Sequence, residues 1–277
     1  MSGKLEGRVA FVTGAARGQG RSHALRLARE GADIIAVDVC SQIPTIEYEM
    51  STPADLKETV RQIEELDRRV VATVADVREF AQLDTAIGQG VAELGRLDIV
   101  CANAGIVSLS PVQDLTAQMW DETIGTCLTG VFNTIKAAVP HIIAGGRGGS
   151  IVATSSAVAL RPVPGACHYV AAKHGVVGIV KALAIELAQY NIRVNAIHPT
   201  NCDTDMIQNP ALRKAFVPNS ENPTREESEP VYQSLNALPI PWVQPIDISN
   251  AIAFLASDEG RYITGIQLPV DAGFQLV

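Results

Sequence analysis

Ser156, Tyr169 and Lys173 carry the most chemical content of any residues in the chain. Tyr169 and Lys173 stand four apart at the start of a helical segment, so both project from one face. A phenol of pKa about 10 is no base at neutral pH until a cation stabilises its phenolate, and a neighbouring ammonium plus an oxidised nicotinamide would do that. Ser156 precedes Tyr169 at the end of a predicted strand, where parallel-sheet sites open, and is placed to orient a substrate oxygen. The chemistry expected is hydride movement between a nicotinamide and a carbinol carbon. Tyr169 takes or gives the hydroxyl proton, Ser156 stabilises the developing oxyanion, and Lys173 lowers the tyrosine pKa.

A second set lies near the N-terminus. Thr13-Gly14-Ala15-Ala16-Arg17-Gly18-Gln19-Gly20 follows a predicted strand directly and opens a helix, the context that a dinucleotide-binding glycine motif requires. Glycines let the backbone approach a pyrophosphate, which rests on the positive end of the helix. Asp38 ends the next strand, where a carboxylate accepts both hydroxyls of an adenine ribose and repels a 2′-phosphate, so NAD is preferred to NADP. Arg17 is the countervailing residue, since a cation in that loop could hold a 2′-phosphate.

These sets need elements to position them. Apolar runs of strand length at 8–13, 33–38, 70–76 and 98–103 alternate with amphipathic stretches at 20–30, 53–67 and 80–94. That alternation predicts βαβ units in one α/β domain over residues 1–277, a Rossmann-like doubly wound parallel sheet with helices on both faces. Thr52, Pro53 and Asp55 supply a helix start, and Gly31 a helix end. A strand is expected at 151–155 and a long helix at 169–189, whose small residues suit close packing across subunits. Two stretches break the rhythm. Residues 41–52 make an unusually long connection after the second strand, and 199–245, rich in proline with a polar run at 219–230, is expected to be a mobile substrate lid.

Composition narrows the function classes. The chain has 277 residues, is 47% hydrophobic and carries a net charge of −8, so it builds a full core and offers no broad basic surface for nucleic acid. Five cysteines in no metal-binding pattern suit reduced thiols in a cytoplasm. No HExxH or facial triad appears and no metal is expected; His168 and His198 are expected to be structural. No stretch of 18 apolar residues suggests a membrane partner.

The motifs TGAARGQG, Asp38, Asp76-Val77, Asn103-Ala104-Gly105, Ser156 and Tyr169-Ala-Ala-Lys173, in this order and spacing, resemble those of the short-chain dehydrogenase/reductase family over essentially the whole chain. The resemblance implies Asp76 and Val77 near adenine and Asn103, Ala104 and Gly105 beside the cofactor. It implies Tyr169 as general acid/base, Lys173 on the nicotinamide ribose, and Thr204 in the loop holding the carboxamide side. Gly14, Arg17, Gly18, Gln19, Gly20, Asp38, Val39, Pro199 and Cys202 complete the cofactor-binding set, and a homotetramer with a helix-bundle interface is implied. AVDVC at 36–40, the long insertion, DVREFAQL at 76–83 and ELGRLDIVCANAGI at 93–106 are similar to the mycofactocin-associated, carveol-dehydrogenase-like subfamily of actinobacteria. There the insertion is thought to keep NAD bound through turnover, with electrons leaving to an external redox carrier.

Two positions depart from the family pattern. The family's catalytic Asn, which helps hold a water on the proton path partly through its main-chain carbonyl, aligns with Cys127. The usual Pro-Gly after the sixth strand reads Pro199-Thr200, which would be strained if the backbone there needed positive φ. The expected partner is a small secondary alcohol or ketone. The apolar lid residues Leu212, Phe216, Val217, Leu235, Leu238 and Trp242 suggest a terpenoid alcohol such as carveol. The alternatives are an NAD-binding sensor on the same fold with little turnover, and an ordinary dehydrogenase with exchanging NAD.

Overall fold

Strand-length apolar runs bounded by helix caps set the architecture of the computed structural model, which describes residues 3–277. Seven strands form one sheet: β1 (Val9–Thr13), β2 (Asp33–Asp38), β3 (Val70–Val74), β4 (Ile99–Ala102), β5 (Gly149–Thr154), β6 (Ile192–Pro199) and β7 (Gln267–Val270). All pair in parallel in the order β3-β2-β1-β4-β5-β6-β7. The connecting helices are α1 (Gly18–Arg29), α2 (Pro53–Glu64), α3 (Phe80–Leu94), α4 (Ala117–Ile124), α5 (Gly130–Gly145), α6 (Cys167–Glu186), α7 (Pro210–Phe216), α8 (Arg225–Ser234) and α9 (Pro245–Ala256).

The two-residue repeat of the strands sends alternate side chains to opposite faces. Phe11, Ile35, Val37, Val100, Ile151 and Val194 point to the layer of α3, α5 and α6, where they meet Leu83, Ile87, Val131, Ile135 and Val176. Ala10, Val12, Ile34, Ile99, Val152 and Ile197 point to the layer of α1, α2 and α9, against Leu27, Leu56, Ile63, Ile248 and Ile252. Both faces are therefore covered, as parallel sheets require. β3 is an edge strand and stops at Val74, which is half exposed, rather than running on to 76.

Caps fall where the sequence puts them. Thr52 and Asp55 form a reciprocal capping box with Pro53 inside it, and Gly31 takes positive φ just after α1. The lid differs from expectation, because half of the polar run folds as α8 and α7 precedes it. Thr224 and Glu227 cap α8 reciprocally, a T-x-x-E signature that outweighs the interior Pro230. Between α4 and α5 the chain stays helical through a π turn at Gly125–Thr129. The stretch Ala117–Gly145 is long and apolar enough to cross a membrane by length and composition, yet half of it is buried within this fold.

Buried imidazoles tie stability to pH. His23 of α1 is fully buried with Nδ1 2.8 Å from Ser249 Oγ of α9, and burial pushes its pKa down to about 3. Its folded pKa lies below the unfolded value, so its contribution is complete above about pH 6.5 and is lost as pH falls toward 3. His168, also lowered by burial, acts in the same direction. Urea unfolding across this range is expected to show stability falling by roughly 1 kcal/mol per pH unit, with a shallower slope in His23→Gln.

Candidate active site

The sheet order reverses between β1 and β4, and a crevice opens at their C-terminal ends. Thr13 closes β1 and its Oγ1 accepts from the main-chain N–H of Asn103 (3.0 Å) and of Ala104 (3.1 Å). The Asn103 amide donates in return to the Thr13 carbonyl at 3.0 Å. This clamp lays Asn103, Ala104 and Gly105 against the glycine loop. Gly14 has φ +68°, and a Cβ on Gly20 would come within 1.9 Å of the Gly14 carbonyl oxygen. Any other residue at position 20 would push α1 away from β1.

No side chain caps α1 and its first turn holds no acidic residue, so its N–H groups face the cavity unpartnered by side chains. That end suits a diphosphate. Asp38 at the end of β2 is 7% exposed. Its Oδ2 accepts from Ala16 N at 3.0 Å, and Oδ1 accepts from Cys40 N at 3.2 Å and Ser51 Oγ at 2.5 Å. These bonds fix the carboxylate at the cavity wall and leave about one of its four acceptor positions, on Oδ2, for a ribose hydroxyl. Arg17 turns away from that position: one guanidinium nitrogen donates to the Glu49 carbonyl and another pairs with Asp205 at 3.2 Å. The structure therefore gives it no free guanidinium for a 2′-phosphate. A cavity of about 530 Å³ is lined by Gly14, Arg17, Gly18, Gln19, Gly20, Asp38 and Val39, then by Asp76, Val77, Asn103, Ala104 and Gly105, and farther on by Pro199, Cys202 and Thr204. Asp76 spends much of its charge on Arg78, 2.6 Å away.

At the other end of the same cavity stand Ser156, just past β5, and Tyr169 and Lys173 on α6. The Ser156 hydroxyl accepts from Val158 N at 3.3 Å and lines the cavity together with Tyr169. Lys173 is 2% exposed; its Nζ donates to the Thr154 carbonyl at 2.8 Å and sits 5.5 Å from the Tyr169 ring centroid. Burial raises the Tyr169 pKa, the Cys127 thiol adds to the rise, and the nearby Ser156 hydroxyl opposes it. Burial also lowers that of Lys173. The expected lowering of the tyrosine pKa by Lys173 thus does not appear in the protein alone. Desolvation is the largest cause of the rise, and it favours the protonated phenol.

The departures from pattern are accommodated. Cys127 lies in the π turn, fully buried, and its Sγ donates to the Ile106 carbonyl (3.2 Å) while accepting from the Ile106 N–H (3.3 Å). A thiol here does what an amide side chain would do, satisfying one donor and one acceptor. Thr200 is not among the residues with positive φ; it donates from Oγ1 to Asn236 at 3.2 Å, so no strain arises. His198 bridges the Ser156 carbonyl (2.8 Å) and Gln267 (2.9 Å), and His168 meets Ser108 Oγ at 2.9 Å with its buried Nδ1 left without a partner; neither lines the cavity.

Of the lid residues, Leu212, Phe216 and Leu235 line the cavity. Val217, Leu238 and Trp242 do not. Leu238 is exposed, and Trp242 is buried edge-on to Tyr232 with Arg225 over its ring. The sequence reading missed Ile43, Tyr48, Met50 and Ser51 of the 41–52 connection, all of which line the cavity. The signal was present as apolar residues at 43, 46 and 48, spaced too irregularly for an element but too regularly for a solvated loop.

The family model for short chain dehydrogenases matches residues 8–214. A putative short-chain type dehydrogenase/reductase of Mycolicibacterium smegmatis is 54% identical over the full length of both chains. The (−)-trans-carveol dehydrogenase of Rhodococcus erythropolis is 52% identical over 99% of each chain. Among solved structures, carveol dehydrogenase from Mycobacterium avium in complex with NAD superposes with a TM-score of 0.98 at 51% identity, covering 99% of this chain and 100% of that one.

The Cys127 bonds give a direct check. Cys127→Ser, which keeps a donor and an acceptor, is expected to stay near parental stability. Cys127→Ala orphans the Ile106 N–H and carbonyl and is expected to lose about 1–3 kcal/mol in urea unfolding.

Proposed function

The chain belongs to the short chain dehydrogenase family, and from that premise we propose that it oxidises a small hydrophobic secondary alcohol, or reduces the matching ketone, at Ser156, Tyr169 and Lys173. It is an alcohol oxidoreductase that works with NAD. The observation that carries the residue assignment is the placement of Ser156, Tyr169 and Lys173 on the wall of the same cavity as the glycine loop and Asp38. When bound, NAD supplies a hydride acceptor and a positive charge. The uncapped end of α1 is suited to its diphosphate and Asp38 to its adenine ribose. Ser156 Oγ and Tyr169 Oη bind the substrate oxygen together. In oxidation Tyr169 Oη, once deprotonated, takes the hydroxyl proton; in reduction its resting protonated form donates one. Lys173, anchored on the Thr154 carbonyl, supplies the nearby cation.

We further propose that NAD stays in place through turnover and passes electrons to an external carrier. The support is the 41–52 connection, which lies over the cavity with Ser51 on Asp38, and Arg17, which joins Glu49 of that connection to Asp205 of the lid. A terpenoid alcohol such as carveol suits the apolar lining. A homotetramer suits the exposed Trp120, Phe132 and Ile185 along α4, α5 and α6, and a cytoplasmic setting suits five free cysteines.

Tyr169→Phe is expected to bind NAD as before while turnover falls by about 10²–10⁴-fold; unchanged turnover would overturn the catalytic assignment of Tyr169. Because burial raises the Tyr169 pKa, parental oxidation should quicken as pH rises above neutrality, while ketone reduction should hold steady there because the phenol keeps its proton. Exhaustively dialysed protein is expected to reduce an artificial redox dye with carveol and no added NAD⁺. NADH formation that requires added NAD⁺ would instead make the cofactor an exchanging one.

A further inference from the structure

The apolar side chains of the 41–52 connection reach past the cofactor end of the cavity. Ile43, Ile46 and Tyr48 pack with Ile106, Cys127 and Ala172 in a cluster that also takes in Tyr169 and, from the lid, Met206. A separate cluster of Ile207, Leu212, Tyr232 and Trp242 with Phe216 lies under the lid helices. Val107 packs against both. Two apolar walls of different origin therefore meet at Val107, in the cavity that Ser156 and Tyr169 also line.

The wall built by the connection is fixed in shape. The Gln42 amide donates to the carbonyls of Ile46 at 2.7 Å and Tyr48 at 3.2 Å, and its oxygen accepts from Met50 N at 3.1 Å. Thr45 N donates to Glu122 of α4 at 3.2 Å, which pins the far end. Tyr48 is 8% exposed and lines the cavity. An aromatic side chain on so constrained a backbone has no room to swing aside, whereas the facing lid wall presents the separate side chains Leu212, Phe216 and Leu235.

We propose that Tyr48 is a specificity-determining residue of the alcohol site. Its ring limits the size of the substituent on the connection side of the carbinol carbon and so fixes which enantiomer of a secondary alcohol is accepted. With the substrate oxygen held by Ser156 and Tyr169 and hydride leaving toward the nicotinamide, the two remaining substituents must divide between the walls. The larger apolar one goes to the lid and the smaller to Tyr48. This inference rests on the alcohol reading of Ser156 and Tyr169, and it adds a substrate class: secondary alcohols with one bulky and one compact substituent.

The test compares kcat/KM for the two enantiomers of one such alcohol in the parent, Tyr48→Phe, Tyr48→Leu and Tyr48→Ala. Tyr48→Phe keeps the ring and is expected to keep the ratio within about 2-fold, whereas the Leu and Ala variants are expected to lower it by about 10-fold or more through faster use of the disfavoured enantiomer. NAD affinity by fluorescence titration and thermal unfolding accompany each variant, so a poorly folded Ala protein leaves the Leu variant to decide. Equal loss on both enantiomers with an unmoved ratio would overturn the proposal and leave Tyr48 a packing residue. Failure of the alcohol reading looks different, because the parent itself would turn over neither enantiomer. Binding of each enantiomer to the protein–NADH complex, read by nicotinamide fluorescence, would then carry the same comparison.

Discussion

The clamp between Thr13 and the Asn103-Ala104 segment holds the two halves of the sheet's crevice in register. β1 and β4 are neighbours whose following chains leave in opposite directions, so their C-terminal ends would otherwise expose main-chain N–H and C=O groups with no ladder partner. One hydroxyl accepting two N–H groups, and one amide returning a bond, satisfies them. It also sets the distance between the glycine loop and the floor of the cavity. The contact of Gly20 with the Gly14 carbonyl, the aim of Asp38 and the place of Lys173 beside Gly105 follow from that spacing.

The sheet and its covering helices were legible because their physics is local and periodic. Continuous apolar runs at β1, β2 and β4, the Thr52–Asp55 box and the left-handed Gly31 each state their own conformation. The glycine motif, Asp38 and the Ser156-Tyr169-Lys173 set were legible too, since few other arrangements use those residues at that spacing. What stayed hidden depends on long-range packing. Nothing local to residues 41–52 says that Tyr48 lies against α6 or that Ser51 bonds Asp38. Trp242 reads as a lid residue until Tyr232 and Arg225 are seen to enclose it. The balance of burial against charge at Tyr169 depends on how much water the fold excludes, which no spacing encodes.

Cys127 and Thr200 show how a site tolerates changed side chains when the backbone carries the geometry. The π turn places residue 127 against Ile106 whatever its side chain, and a thiol fills the donor and acceptor sites. Thr200 keeps ordinary backbone angles and finds Asn236. Desolvation works against charge on both Tyr169 and Lys173, each being shifted toward its neutral form.

The guanidinium of Arg17 touches the connection through Glu49 and the lid through Asp205. Two coverings that share one cation do not open independently, so their closures form a single thermodynamic linkage. Whatever free energy an alcohol contributes by settling the lid is felt as tighter holding of the dinucleotide, and by reciprocity the dinucleotide tightens the grip on the alcohol by the same factor.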